Sequence, residues 1–171
     1  MNMISKPLLT ALFAALFAVG LASPVVAQNY VGFSGGLMSY DDTNADMESQ
    51  GFTVFAGGQF NVFAAVEFSY TSIANVEANE QNTQAGVLAL SGLLRSPGEG
   101  FEPFLRLGLA RGDAKITGGD NPYNKTKEGL IFGFGADIPL SYNTVIRLEY
   151  VETDMDGAKS DRLSAGAVYR F

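Results

Sequence analysis

Arg162-Leu-Ser-Ala-Gly-Ala-Val-Tyr-Arg-Phe171 alternates apolar with small or polar residues to its last position. Leu163, Ala165, Ala167, Tyr169 and Phe171 share one parity; Arg162, Ser164, Gly166, Val168 and Arg170 share the other. Successive side chains of a strand point to opposite faces, so this split reads as a strand with one apolar face. A terminal aromatic on that face suits contact with lipid better than contact with water.

Working outward, the opposite end carries Lys6, then the apolar run Leu8–Leu21, then Val25-Val26-Ala27. A basic start, a short apolar stretch and small residues at a cleavage position read as a secretory signal peptide over residues 1–27. The expected mature domain is residues 28–171. The run is short for a helical span, and no other segment is long and apolar enough to be one. A membrane location would therefore require a closed barrel, because open sheet edges cannot face lipid.

Composition removes several functional classes. The chain has no cysteine and no histidine, and its formal net charge is −7. Thiolate chemistry, disulfides and a lipidated N-terminal cysteine are excluded, together with the commonest general base. No basic patch is present to hold nucleic acid.

Period-two alternation gives eight candidate strands: Tyr30–Tyr40, Gly51–Phe60, Val62–Thr71, Ala85–Leu94, Phe101–Gly112, Glu128–Ile138, Thr144–Thr153 and Arg162–Phe171. The connections alternate in length. Long ones are expected at Asp41–Gln50, Ser72–Gln84, Asp113–Lys127 and Asp154–Asp161, and short ones at Asn61, Arg95–Gly100 and Pro139–Asn143. This is the layout of an all-β, eight-stranded antiparallel up-and-down transmembrane barrel, with both ends periplasmic and the long loops outside.

A soluble periplasmic lipocalin-like barrel would alternate too, with its apolar face inward. Residue sorting argues against it. Glu67, Arg106, Arg147 and Glu149 share their faces with glycine, alanine and serine, which suits a narrow lumen. After the leader the lysines are Lys115, Lys125, Lys127 and Lys159, all in or beside expected loops. Aromatics near strand ends suit lipid–water girdles: Tyr40, Tyr70 and Tyr150 on the outer rim, and Phe60, Tyr169 and Phe171 on the periplasmic rim.

The expected lumen charges are Glu67, Glu102, Arg106, Asp137, Arg147, Glu149, Arg162 and Arg170. Buried charges are costly alone, so these should pair. Glu67, Arg106, Arg147 and Glu149 are expected deepest, Glu102, Asp137 and Arg170 near the periplasmic mouth, and Arg162 near the outer mouth. The set reads as a plugging salt-bridge network; the alternative is a narrow porin-like path for ions or small solutes.

No catalytic, cofactor-binding or metal-binding residues are assigned, and no cofactor is expected. Glu152-Thr-Asp154-Met-Asp156-Gly157 partly matches a calcium loop, but Leu163 stands where a bidentate glutamate belongs. It reads instead as an acidic hairpin loop. Asp41, Asp42, Asp46 and Glu48 make the first loop acidic as well. Gly118-Gly119-Asp120-Asn121-Pro122 is turn chemistry, not a phosphate loop.

The stretches Pro103–Gly112, Gly133–Asp137, Arg147–Tyr150 and Ala165–Phe171 give residues 28–171 a resemblance to the small eight-stranded bacterial outer-membrane barrel superfamily. Its members include barrels like the transmembrane domain of outer membrane protein A and the opacity-type proteins. The resemblance implies a structural or surface-interaction protein rather than an enzyme. Implied partners are outer-membrane lipid, lipopolysaccharide, and host or phage surface ligands at the loops. Tyr169 and Phe171 resemble the terminal signal that the barrel-assembly machinery recognises. The resemblance does not extend to the periplasmic peptidoglycan-binding domain of full-length outer membrane protein A, so no cell-wall tether is expected.

Overall fold

The computed structural model describes residues 28–42, 45–78, 81–117, 123–155 and 158–171. They form eight strands: β1 (Gln28–Asp42), β2 (Ala45–Asn61), β3 (Ala64–Ala78), β4 (Gln81–Arg95), β5 (Glu102–Thr117), β6 (Tyr123–Pro139), β7 (Thr144–Met155) and β8 (Ala158–Arg170). Each pairs antiparallel with its sequence neighbours, and β8 pairs with β1, so the sheet closes.

The closure register sets the dimensions. Partners followed from Tyr30 run through Gly57, Glu67, Ser91, Gly108, Ile131, Thr153 and Ser160, and return to β1 at Tyr40. That offset of about ten residues over eight strands tilts them by roughly 40° and puts the Cα wall roughly 8 Å from the axis. So narrow a cylinder is filled by its own side chains.

Alternation then sorts the faces. Phe33, Leu37, Phe52, Phe68, Leu90, Leu105, Phe132, Phe134, Leu148 and Leu163 are all exposed on the outside. Glu67, Arg106, Asp137 and Arg147 are buried inside. The inside-out arrangement overturns the soluble alternative, in which the apolar face would point inward. On β8 the outward apolar run from Phe171 to Leu163 rises roughly 20 Å at this tilt. The next outward residue is Asp161, exposed and charged.

One expectation needs correction. The strands continue well beyond the alternating cores: β2 and β6 reach 17 residues. Most of Asp41–Gln50, Ser72–Gln84, Asp113–Lys127 and Asp154–Asp161 is therefore paired strand rather than loop. Once a ladder has left the bilayer, polar side chains suit both faces and the backbone bonds simply continue. The stretch around Asp154 is a hairpin, with Asp154 opposite Lys159, which removes its likeness to a calcium loop. Asp156, Gly157 and Gly118–Pro122 lie outside the described residues, and so does the side chain of Tyr40.

At the periplasmic end the connections are short, as expected. Arg95, expected in a turn, is instead the last residue of β4. Leu140 and Ser141 close the β6–β7 turn by donating their amide N–H groups to the Thr144 carbonyl.

Candidate functional site

Eight inward charges were expected, and the structure places each of them on the lumen side. β3 supplies Glu67, β5 supplies Glu102 and Arg106, β6 supplies Asp137, β7 supplies Arg147 and Glu149, and β8 supplies Arg162 and Arg170. Arg95 is a ninth, and it is buried. The continuing alternation Ser91, Leu93, Arg95 on β4 was the signal for it.

Arg147 is the centre of the network. Its Nε donates to Asp137 Oδ1 at 2.7 Å and its Nη2 to Asp137 Oδ2 at 3.0 Å. Its Nη1 donates to Glu67 Oε2 at 2.6 Å. The other Glu67 oxygen accepts from Arg106 Nη2 at 2.6 Å, and Arg106 Nε reaches Glu149 Oε1 at 2.5 Å. The Tyr30 hydroxyl adds a 3.0 Å bond to Glu67 Oε2. Two charged groups taken out of water are tolerable only with such geometry and satisfied lone pairs.

Three rings enclose the Arg147 guanidinium. Its carbon lies 5.5 Å from the Tyr30 centroid, 4.9 Å from Phe55 and 4.8 Å from Phe104. Each ring has a glycine directly opposite on the neighbouring strand: Tyr30 faces Gly57, Phe55 faces Gly32 and Phe104 faces Gly135. A Cβ on any of these glycines would collide with the ring that covers it. The glycines thus make room for flat rings to lie along the wall, and the ring faces meet a desolvated cation. Alternation alone put Phe104 on the inward face with Glu102 and Arg106; the glycine that each ring meets was not legible, because the cross-strand register that joins ring to glycine is not printed in the chain.

The network continues both ways. Toward the periplasm, Arg95 and Arg170 each contact both Asp137 Oδ2 and Glu102 Oε2, with Arg170 Nη2 to Glu102 Oε2 at 2.6 Å. Asp137, expected at the mouth, is fully buried because three arginines converge on it. Toward the outside, Arg162 Nη2 lies 3.6 Å from Glu149 Oε2, and its Nη1 donates to the hydroxyls of Thr53 and Thr71. Tyr30, Phe55, Ala65, Leu93, Phe104, Val145 and Val168 pack as one apolar cluster around the lower charges. Ala89, Ala110, Ile131 and Val151 line the wall above. Ion pairs and apolar packing together occupy these layers of the lumen.

On the outside, the apolar band ends in charges. Arg111, Asp113, Glu128, Glu152, Asp154, Lys159 and Asp161 are exposed at its upper edge. Arg111 and Glu128 form a loose 3.9 Å surface pair. At the lower edge Tyr169 and Phe171 stack at 6.5 Å, and Phe63 and Phe101 are exposed in the β2–β3 and β4–β5 connections at the same end.

This geometry agrees with what the chain is similar to. A family model described as outer membrane protein beta-barrel domain matches residues 9–171. The chain belongs to this family. It is an outer-membrane barrel, and the aromatic-edged apolar band is its membrane-spanning surface. The crystal structure of neisserial surface protein A aligns with a TM-score of 0.75 at 18% identity, covering 84% of this chain and 97% of that one. Ail, the attachment invasion locus protein of Yersinia pestis, in complex with the heparin analogue sucrose octasulfate, aligns at 0.68 and 19%, covering 86% and 100%. The outer membrane protein OprG of Pseudomonas aeruginosa aligns at 0.60 and 12%, covering 85% and 95%. A comparison with curated proteins finds no match. At these identities the structural likeness speaks for the fold alone.

Proposed function

We propose that this barrel is a non-conducting surface protein, a stapled scaffold that carries its extended hairpins above the outer membrane. The observation that supports it is the lumen. Conduction needs hydrated sites an ion can enter and leave. Here Arg147 is clamped by Asp137 and Glu67 and walled in by three rings. Function is then left to the exterior, where β2 and β6 extend far beyond what the bilayer requires.

The described outer rim favours cationic partners. Asp113, Glu128, Glu152, Asp154 and Asp161 outnumber Arg111 and Lys159 there. The Ail structure holds a sulfated, polyanionic ligand. The same chemistry would be repelled by this rim, so a sulfated glycan is not the partner we infer. Lipopolysaccharide would meet the acidic rim through bridging divalent cations. Residues 1–27 serve as the cleaved leader, and Tyr169 and Phe171 present the terminal strand to the assembly machinery.

Planar-bilayer recording tests the reading. The purified barrel should leave the bilayer electrically silent. Discrete ion-selective steps that change in an Arg147→Ala variant would establish the porin-like alternative instead.

A further inference from the structure

The strand register sorts the outward face of β3–β6 into rows. One row runs Phe68, Leu90, Leu109, Leu130. The next toward the outside runs Tyr70, Leu88, Arg111, Glu128, and the third runs Ser72, Gly86, Asp113, Thr126. The apolar band therefore gives way to charge within a single step along β5, between Leu109 and Arg111.

Two grooves lie in this surface and meet at Leu88. The lower one, of about 530 Å³, is lined by Phe68, Leu88, Leu90, Leu109 and Leu130, and it is bordered by Arg111 and Glu128. The upper one, of about 450 Å³, is bordered by Tyr70, Ser72, Gly86 and Asp113. A Cβ on Gly86 would lie 2.8 Å from the Tyr70 hydroxyl, so the tyrosine covers this glycine at the junction. Together they make one trough, apolar toward the bilayer and polar toward the outside.

The charges at the junction are sparsely engaged. Arg111 and Glu128 are exposed and only 3.9 Å apart at their nearest. Asp113 Oδ1 accepts from the Thr126 hydroxyl at 2.5 Å, and Asp113 has no ion pair among the described residues. One cation thus stands between two carboxylates. A plain anion there would face Asp113 and Glu128, and a plain cation would face Arg111; a headgroup carrying both signs meets all three.

We propose that this trough holds one aminophospholipid. Its phosphate lies on Arg111, whose planar fork suits two phosphate oxygens. Its primary ammonium donates to Asp113 and Glu128. Arg111 and Asp113 are roughly 7 Å apart along β5, a span that a phosphate and an amine separated by two carbons can bridge. One acyl chain runs along Leu88, Leu90, Leu109 and Leu130, continuous with the membrane-spanning surface. Apolar contact alone discriminates little between lipids, because lipid tails are as apolar as leucine. Selection therefore falls to the headgroup, and a quaternary ammonium, which has no N–H to donate, is a poorer fit than a primary one.

Native mass spectrometry of the mature barrel in detergent tests the site. Phosphatidylethanolamine, phosphatidylcholine and phosphatidylglycerol of equal chain length are offered in equal amounts. One ethanolamine lipid should be retained about tenfold over either rival. Arg111→Gln and Asp113→Asn, each checked for folding by gel migration, should lower its retention to the level of the rivals. With the wild-type barrel, a phosphatidylethanolamine bearing a photoreactive diazirine in its acyl chain should label β4, β5 and β6. Equal retention of the three lipids, a preference that both variants keep, or label spread evenly around the barrel would make the trough ordinary boundary surface and overturn the site.

Discussion

Arg147 and Asp137 stand directly opposite each other on β7 and β6 and are joined by two roughly parallel N–H···O bonds of 2.7 and 3.0 Å. This bidentate pair is fully buried and lies at the hub of the lumen, where Glu67 and three aromatic rings complete its surroundings.

Removing one member of such a pair leaves an uncompensated buried charge. Arg147→Ala should destabilise the barrel by about 3–5 kcal/mol. Urea unfolding in detergent micelles, followed by the shift in gel migration between folded and boiled protein, measures it. Arg147→Lys should recover only part of the loss, because an ammonium cannot make the two parallel bonds to Asp137.

The ring–glycine pairs predict an overpacking defect. Gly135→Val places a side chain where the Phe104 ring lies and should cost about 1–3 kcal/mol. Adding Phe104→Ala should relieve the ring's part of the collision, while the Leu148 carbonyl oxygen 2.5 Å from the added Cβ stays in place, so the double variant should recover part of the loss and be more stable than the sum of the single losses. Simple additivity would show that ring and glycine are not packed together.

The lipid-facing reading predicts a strong dependence on depth. Leu148→Arg, inside the apolar band, should cost about 2–4 kcal/mol in a bilayer. Glu152→Arg, four residues further along β7 on the same face, should cost about 0–1 kcal/mol because that position lies at the interface. Equal penalties at the two sites would mean that the band is misplaced.

The stacked pair Tyr169 and Phe171 makes a prediction about assembly rather than stability. Phe171→Ser should lower the amount of heat-modifiable barrel in the outer-membrane fraction, while the protein refolded in detergent keeps nearly normal stability. A parallel loss in both measurements would assign Phe171 to packing alone.

Much of this was legible because a strand's period is two. The inward parity of Glu67, Arg106 and Glu149 and the outward parity of Phe134 and Leu148 follow from alternation. The upper strand extensions were not legible, since residues such as Lys125 and Thr126 lie on a ladder above the membrane, where alternation carries no apolar signal. Pairing was not legible either. Arg147 meets Asp137 and Glu67 through cross-strand register and shear, which the chain sets only once the barrel closes. The Tyr30–Gly57 partnership is hidden for the same reason, and Arg95 was obscured by the turn residues Ser96, Pro97 and Gly98 that follow it.

Spin-label accessibility tests the account most directly. A label at outward Phe134 should collide readily with dissolved oxygen and hardly at all with a water-soluble nickel chelate. A label at inward Ser91 should be shielded from both. Nickel reaching the Ser91 label would reveal a wet lumen, and nickel reaching the Phe134 label would remove the lipid from the barrel's outer face; either result contradicts a solid, charge-filled barrel set in a membrane.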